Sequence, residues 1–364
     1  MGSLAESTKS THRFNYRWKL ADTVFTKDKG KVFSCFACGG GSTMGYKLAG
    51  FDVIGFNEID PKMAKAYIVN HSPKYQFVEP IQTFKLRQDL PAELYELDIL
   101  DGSPPCSLFS MAGNRESDWG KEKKFREGQT SQVLDTLFFD FIDLAKKLQP
   151  KVVIAENVKG ILLGNAKKYV IEIYKQFEEA GYYLQHFLLD ASKMGVPQKR
   201  ERVFFIGLRK DLADSFLVQR DMFATVPRLE LYFNEPKIVY SEIESFDEPA
   251  IFENPAPSCF AGWIAAKKGC KLYGDKKYDS YKINPNNVLA TLTANISKSR
   301  SGPLHYLEFR MLTKSEIYNA GTFPLDYECE DPYYFIGMSV PPVMMAQIAT
   351  EIYNQWLSKI NRNG

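Results

Sequence analysis

A glycine run between two apolar strands constrains this chain more than any other feature. Residues 31–37 (Lys-Val-Phe-Ser-Cys-Phe-Ala) read as a buried-type strand that runs into Cys38-Gly39-Gly40-Gly41-Ser42. A helix is predicted next, with Met44, Leu48 and Ala49 facing inward. Residues 51–56 (Phe-Asp-Val-Ile-Gly-Phe) make a second strand that ends at Asn57-Glu58-Ile59-Asp60-Pro61. Pro61 has the fixed φ that suits the first turn of a further helix. Strand, glycine turn, helix, strand, acid is the order of the nucleotide-binding half of a doubly wound α/β sheet. A glycine turn alone would serve a nicotinamide dinucleotide equally well, so it sets the fold class and leaves the ligand open.

The alternation continues. Apolar spacing predicts a helix over 134–148, which Pro150 ends, and a strand over 152–155 that closes in Glu156-Asn157-Val158. A helix over 166–180 follows, then strands over 184–189 and 203–208, with Gly195-Val196-Pro197-Gln198-Lys199-Arg200-Glu201-Arg202 between them. From about Lys210 the regular pattern stops, turn-forming and aromatic residues dominate, and helices return over 313–320 and 342–357. The expected organisation is therefore a sheet domain over 31–209, an inserted lobe over 210–309, and a return over 310–364 that completes the first domain. Residues 1–30 are a polar extension, a tail or a DNA-contacting arm expected to be partly ordered at best.

With 45% hydrophobic and 25% charged residues and a mean hydropathy of −0.29, the composition is that of a soluble globular protein. No apolar run reaches membrane-spanning length and the N-terminus lacks a signal-peptide layout, so no membrane association is expected. The six cysteines are scattered, which fits a reducing, cytoplasmic setting. Cys35-x-x-Cys38 has metal-like spacing, but no second pair or histidine cluster completes a site, and no metal is expected. The net charge of +2 hides an uneven distribution. Residues 261–310 hold nine Lys/Arg against three acids, interleaved with Trp263, Tyr273, Tyr278, Tyr281 and Tyr306. A phosphate-tracking surface needs such a segment. A solvated lysine-rich loop region explains the charge as well.

One stretch carries a chemical signal: Asp98-Ile99-Leu100-Asp101-Gly102-Ser103-Pro104-Pro105-Cys106-Ser107-Leu108-Phe109-Ser110. Two prolines stop a short apolar strand and hold the next side chain in a set direction. A cysteine at the carboxyl end of an α/β strand stands where such sheets keep their ligands. A buried, inert thiol is the commoner fate of such a residue. Only its partners raise the reactive reading.

Those partners occur in order: Phe36-Ala37-Cys38-Gly39-Gly40-Gly41, Asn57-Glu58, Pro104-Pro105-Cys106, Glu156-Asn157-Val158 and Gln198-Lys199-Arg200-Glu201-Arg202. Arg310-x-Leu312-Thr313-x-x-Glu316, Phe323-Pro324 and Gly337-Met338-Ser339-Val340-Pro341 follow. The ordered set resembles the C5-cytosine DNA methyltransferase family in its compact bacterial or phage form, outside residues 1–30 and about 210–285. The resemblance implies a Rossmann-like class I methyltransferase sheet with a small inserted target-recognition lobe, and S-adenosylmethionine as cofactor.

It also implies roles. Cytosine C5 is a poor nucleophile, so in the family a cysteine thiolate first attacks C6, and Cys106 is the matching residue. Glu156 matches the acid that protonates or hydrogen-bonds N3, for which it needs a raised pKa. Arg202, and more loosely Arg200, match arginines that hold the cytosine O2 and the acid. Asn157 is expected to orient the strand end. For the cofactor, Phe36 matches the aromatic against adenine, and the backbone of Ala37, Cys38, Gly39, Gly40 and Gly41 admits the methionine half. Glu58 matches the acid on the ribose hydroxyls. Ile59, Ile81, Pro104, Leu137, Ser339 and Val340 match wall positions.

The target base must be flipped out of the duplex to reach such a site. The polar loop 107–130, with Gly113, Gly120 and Gly128, has the composition of a closing lid. Ser107, Ser110, Gln198, Thr291, Lys298 and Arg300 are the expected DNA contacts. Four departures from the family pattern stand out: Cys38 for glycine, Pro80-Ile81 for an acid-hydrophobe pair, Ile59 for an aromatic, and Met338 for asparagine. None touches Cys106, Glu156 or Arg202, so they read as tuning. The expected protein is a monomeric, sequence-specific DNA (cytosine-5)-methyltransferase that acts on double-stranded DNA, with or without a cognate restriction endonuclease. A tRNA cytosine methyltransferase shares the same catalytic set, but the Cys-Phe-Thr signature of that branch is missing at Ser258-Cys259-Phe260-Ala261. A silent nucleic-acid-binding regulator would predict damage to Cys106, Glu156 or Arg202, and all three are intact.

Overall fold

The computed structural model describes residues 12–105, 122–123, 132–133, 136–164, 166–219, 225–251, 259–273, 280–296 and 302–360. Apolar runs at β1 (Lys31–Cys35), β2 (Asp52–Asn57), β4 (Ile99–Gly102) and β5 (Val152–Val158) are buried almost throughout. Strands covered on both faces have that composition. Helices α1 (Gly41–Leu48), α2 (Pro61–His71), α3 (Leu137–Leu148) and α4 (Ala166–Glu179) join them, with β3 (Tyr75–Phe77) after α2. The chain then makes a hairpin-like pair, β6 (Tyr182–Asp190) and β7 (Glu201–Arg209).

The seven strands form one sheet in the order β3-β2-β1-β4-β5-β7-β6. Strands β1 to β5 run parallel, and β7 is antiparallel to both neighbours. The chain winds outward from β1 to β3 and then returns to β4, so the order reverses between β1 and β4. Ligands of doubly wound sheets bind at the carboxyl ends of the strands at that reversal.

Each face has its own core. Phe138, Phe141 and Leu148 of α3 and Phe177 of α4 cover one face with Leu100, Val153 and Phe205. The other face takes Tyr46 of α1 together with Met345, Ile348 and Ile352 of α7 (Pro342–Ile352). A Cβ on Gly45 would lie 2.5 Å from the Met345 Cβ, so glycine lets α1 and α7 pack in direct backbone contact. By length and composition the stretch Pro332–Ile360 could cross a membrane, yet 83% of its apolar window is buried inside the protein, as in a core helix.

A third core joins the region after Arg209 to the return. Ile238, Tyr240, Leu289, Leu292 and Leu304 pack with Leu312, Ile317, Phe323 and Phe335, on or beside α5 (Lys314–Gly321) and α6 (Pro332–Met338). The Arg310…Glu316 motif is structural. Glu316 is fully buried, accepts from Arg310 Nη2 at 3.0 Å and Tyr240 OH at 2.8 Å, and completes the capping box of Thr313.

Residues 12–30 are more tightly held than their polar composition suggested. Trp18 Nε1 donates to Thr322 O at 3.0 Å, and the backbone N–H groups of Leu20 and Ala21 donate to Asp326 at 2.7 and 3.0 Å. His12 pairs with Glu235 at 2.9 Å. This segment has little regular structure and is fixed by side-chain bonds to distant loops.

Candidate active site

At the end of β1 the chain must turn sharply into α1. Phe36 and Cys38 take left-handed φ values of 50° and 49°, unusual for residues with side chains, and Gly40 follows at 98°. The turn is held open by Glu58, whose Oε2 accepts from the Cys38 N–H at 2.7 Å and whose Oε1 accepts from the Asp60 N–H at 2.8 Å. Asp60 then caps α2 through Lys62 N at 2.9 Å, with Pro61 at its first position. Glycine is required at 39 and 41: a Cβ there would meet the Phe335 ring at 1.5 Å and Val340 O at 2.4 Å.

A pocket opens above this turn. Its walls are Phe36, Ala37, Cys38, Gly41, Glu58 and Ile59 from the β1 and β2 ends, and Ser339 and Val340 from the return. Eight of the residues expected at the cofactor thus come together. Gly39 and Gly40 shape the turn behind the pocket. Ile81 and Leu137 do not line it; they are 2% and 0% exposed in the core beneath α3. Asp101, Ser34, Ser103 and Pro105 line it as well, as do Tyr334 and Met338. Asp101 belongs to the Pro-Pro-Cys stretch but carries no signal of its own in the sequence. Only the β1–β4 register, which sets Ser34 against Asp101, would have brought it forward.

Burial dominates the electrostatics. It pushes the Glu58 carboxyl up to about 7 against backbone hydrogen bonds from Asp60, Cys38 and Ile59, and the Cys38 thiol up to about 12, Glu58 adding to the effect. Cys38 is therefore a neutral, packed thiol whose Sγ lies 3.5 Å from the Met63 sulfur.

Beside the pocket, β5 and β7 bring the second group together. Their antiparallel register sets Val158 opposite Arg202, so Glu156 and Arg202 project from one face, two residues apart along it. Arg202 Nε donates to Glu156 Oε1 at 2.9 Å, with the two side chains only 14% and 10% exposed. Asn157 projects from the other face of β5, where its Nδ2 donates to Pro104 O at 3.1 Å. That bond ties the carboxyl end of β5 to the Pro-Pro turn of β4. Cys106, Ser107, Ser110, Lys298 and Arg300 lie outside the described residues.

Arg200 does not join Glu156. It is 1% exposed and donates to Leu292 O at 3.1 Å and Gly337 O at 2.8 Å, bridging the region after Arg209 and the return. Gln198, expected on DNA, is fully buried: its amide donates to Ala320 O at 3.2 Å and accepts from Leu292 N at 3.1 Å. A side chain with both ends used inside the protein has nothing to offer a phosphate or base. Thr291 is exposed, with its hydroxyl donating to Lys199 O at 2.5 Å. Gln198→Ala is expected to destabilise the fold by about 1–3 kcal/mol, because two buried backbone groups lose their partner. A urea midpoint unchanged from the parent would contradict this docking role.

A family model described as C-5 cytosine-specific DNA methylase matches residues 30–354. The chain belongs to that family. Relatives include the Type II methyltransferase M.FnuDI of Fusobacterium nucleatum, 38% identical over 50% of this chain and 48% of its own length. Type II methyltransferase M.Eco47II of Escherichia coli is 29% identical over 96% of this chain and 84% of its own length. The chain thus spans only about half the length of M.FnuDI, and likewise of Type II methyltransferase M.NgoPII of Neisseria gonorrhoeae, to which it is 35% identical. Among solved structures, a DNA modification methyltransferase encoded within an E. coli prophage superposes with a TM-score of 0.66 at 19% identity, covering 89% of this chain and 99% of that one. At that identity the likeness concerns the fold. The family's methyl donor is S-adenosylmethionine, and the pocket suits it: an aromatic face at Phe36, a carboxyl at Glu58 for ribose hydroxyls, and a turn whose glycines leave the backbone open.

Proposed function

We propose that the protein methylates C5 of cytosine in double-stranded DNA, as the modification enzyme of a restriction system or as an orphan. The observation that carries this reading is the Glu156–Arg202 pair beside a pocket bounded by Pro105, the residue before Cys106. A dehydrogenase reading of the same sheet has no use for either.

The residues divide the work. The Cys106 thiolate attacks C6 of the flipped cytosine, forming a C–S bond while N3 takes a proton or hydrogen bond from Glu156. Arg202 holds Glu156 by its Nε and donates through Nη1 to Glu201 O, and its Nη2 N–H groups suit the cytosine O2. Asn157 keeps the Pro-Pro turn in register with Glu156 through Pro104 O. Bound S-adenosylmethionine supplies a methyl group on a positively charged sulfur. The thiolate adduct leaves C5 electron-rich and able to take such a group; loss of the C5 proton to solvent and return of the N3 proton to Glu156 would then break the C–S bond, free the Cys106 thiolate and restore the ring. Phe36, Glu58 and the turn 37–41 hold the cofactor, and residues 210–309, net basic in their second half, face the DNA.

Incubation with mixed-sequence duplex DNA and labelled S-adenosylmethionine, followed by bisulfite mapping, tests this directly. Methylation at one short motif is the expected result. Label transferred to tRNA and not to DNA would overturn the DNA assignment.

The pocket also sets a pH dependence. The Glu58 carboxyl, ordinarily near 4.5, is held at about 7, so its charged form is complete only above that value and is lost as pH falls through it. Ribose hydroxyls donate best to the charged form. Asp101, also held at about 7, changes in the same direction. Cofactor affinity measured by calorimetry is expected to fall by roughly tenfold from pH 8 to pH 6. A level or rising affinity would count against Glu58 as the ribose acceptor.

A further inference from the structure

Besides Glu58 and the helix cap Asp60, the pocket is lined by a third carboxyl to which the proposed chemistry gives no role. Asp101 of β4 is 1% exposed and stands opposite Ser34 of β1 in the parallel register. Its Oδ2 accepts from Ser34 Oγ at 2.8 Å and its Oδ1 from the Tyr46 hydroxyl of α1 at 3.0 Å. Both donors are neutral. Among the described residues, no Lys, Arg or His nitrogen forms an ion pair with it. Each carboxylate oxygen keeps further acceptor capacity. A charge buried without a counter-charge is costly, so such groups are normally paired. Asp101 and Ser34 both line the pocket, so a ligand cation can reach them.

The sheet order says which part of the ligand arrives there. Strands β2 and β4 flank β1 on opposite sides, so Glu58 and Asp101 sit on opposite flanks of Ser34 and Phe36. Methyl transfer must occur near the ends of β4 and β5, where Glu156 lies. A ligand with its ribose at Glu58 therefore extends its amino-acid half toward β4. That half carries one primary ammonium group.

We propose that Asp101 is the anchor for the α-ammonium of the cofactor's methionine half, held in place by Ser34 and Tyr46. The inference rests on the cofactor reading above. Glu58 is unsuited to this task, because it lies on the far flank of β1 at the end of β2, where it takes the ribose hydroxyls. Burial raises the Asp101 carboxyl to about 7, as it would a site that is completed only when a cation binds.

The test compares S-adenosylhomocysteine, which lacks the sulfonium charge, with its deamino analogue, in wild type and Asp101→Asn, by titration calorimetry. Asp101→Asn is expected to weaken S-adenosylhomocysteine by roughly 10- to 100-fold and the deamino analogue by less than about threefold. Equal losses for the two ligands, or none for either, would overturn the proposal. Failure of wild type to bind either ligand would overturn the cofactor reading beneath it. Should Asp101→Asn not fold cooperatively, wild type alone decides at pH 7 in two buffers of different ionisation enthalpy. Glu58, Asp60, Glu156 and Cys38 face both ligands alike, so the difference isolates the ammonium. S-adenosylhomocysteine is expected to release up to about half a proton more than the deamino analogue. Equal release would overturn the assignment.

Discussion

Cys106→Ser is expected to remove methyl transfer to duplex DNA almost completely, by about 10⁴-fold or more, a loss of the size seen when a covalent nucleophile is deleted. A thiol ionises near 8.5, so some thiolate is present at neutral pH, whereas a serine hydroxyl offers essentially no alkoxide. Among the described residues of the pocket none compensates, since the thiol that lines it, Cys38, is held neutral by burial. The cofactor walls at Phe36, Glu58, Ser339 and Val340 belong to other elements, so S-adenosylmethionine should still bind. Labelled methyl incorporation and calorimetry, run side by side, separate the two effects. A variant that keeps a tenth of the parent rate would rule out Cys106 as the nucleophile.

Arg202→Ala is expected to act on stability and turnover together. The carboxylate of Glu156 is nearly dry, and its ion pair is the 2.9 Å contact with Arg202. Removing one partner of such a pair costs about 3–5 kcal/mol when the other stays charged. The acid also loses its orientation against N3, and a misplaced general acid costs roughly 10²–10⁴-fold in rate. Arg202→Lys should recover part of the stability but little turnover, because an ammonium lacks the planar fork that can serve Glu156 and a base oxygen at once. Urea unfolding with single-turnover methylation reads both. An Arg202→Ala protein within twofold of the parent in rate would exclude the proposed role.

The parts of the site that were legible in the sequence are those set by local chain geometry. The glycine turn follows from a strand that must reverse into a helix. Glu156 and Arg202 stand at recognisable strand ends, but only the resemblance of their motifs to the family pairs them; the β5–β7 register is what brings them into contact. The illegible parts depend on contacts between distant segments. Gln198 and Arg200 look like surface residues in an Arg/Glu-rich turn. They are buried only because Leu292, Ala320 and Gly337 bring backbone groups to them from about a hundred residues away or more. Residues 12–30 lack apolar periodicity, yet Trp18 and the Asp326 carboxylate fix them by single hydrogen bonds that no pattern reveals.

The pocket's far wall has a consequence for how the protein is made. Tyr334, Met338, Ser339 and Val340 leave the ribosome only after every strand of the sheet, and Phe335 fills the space that Gly39 leaves free. Domains fold from the N-terminal end during synthesis. The strands from β1 to β7 can therefore assemble early, but no intact cofactor site exists until the segment from α6 to α7 has been translated and has docked across α1. A truncated product would carry Cys106, Glu156 and Arg202 and still lack a methyl donor. Protein quality and catalytic competence are in this way checked by the same late event.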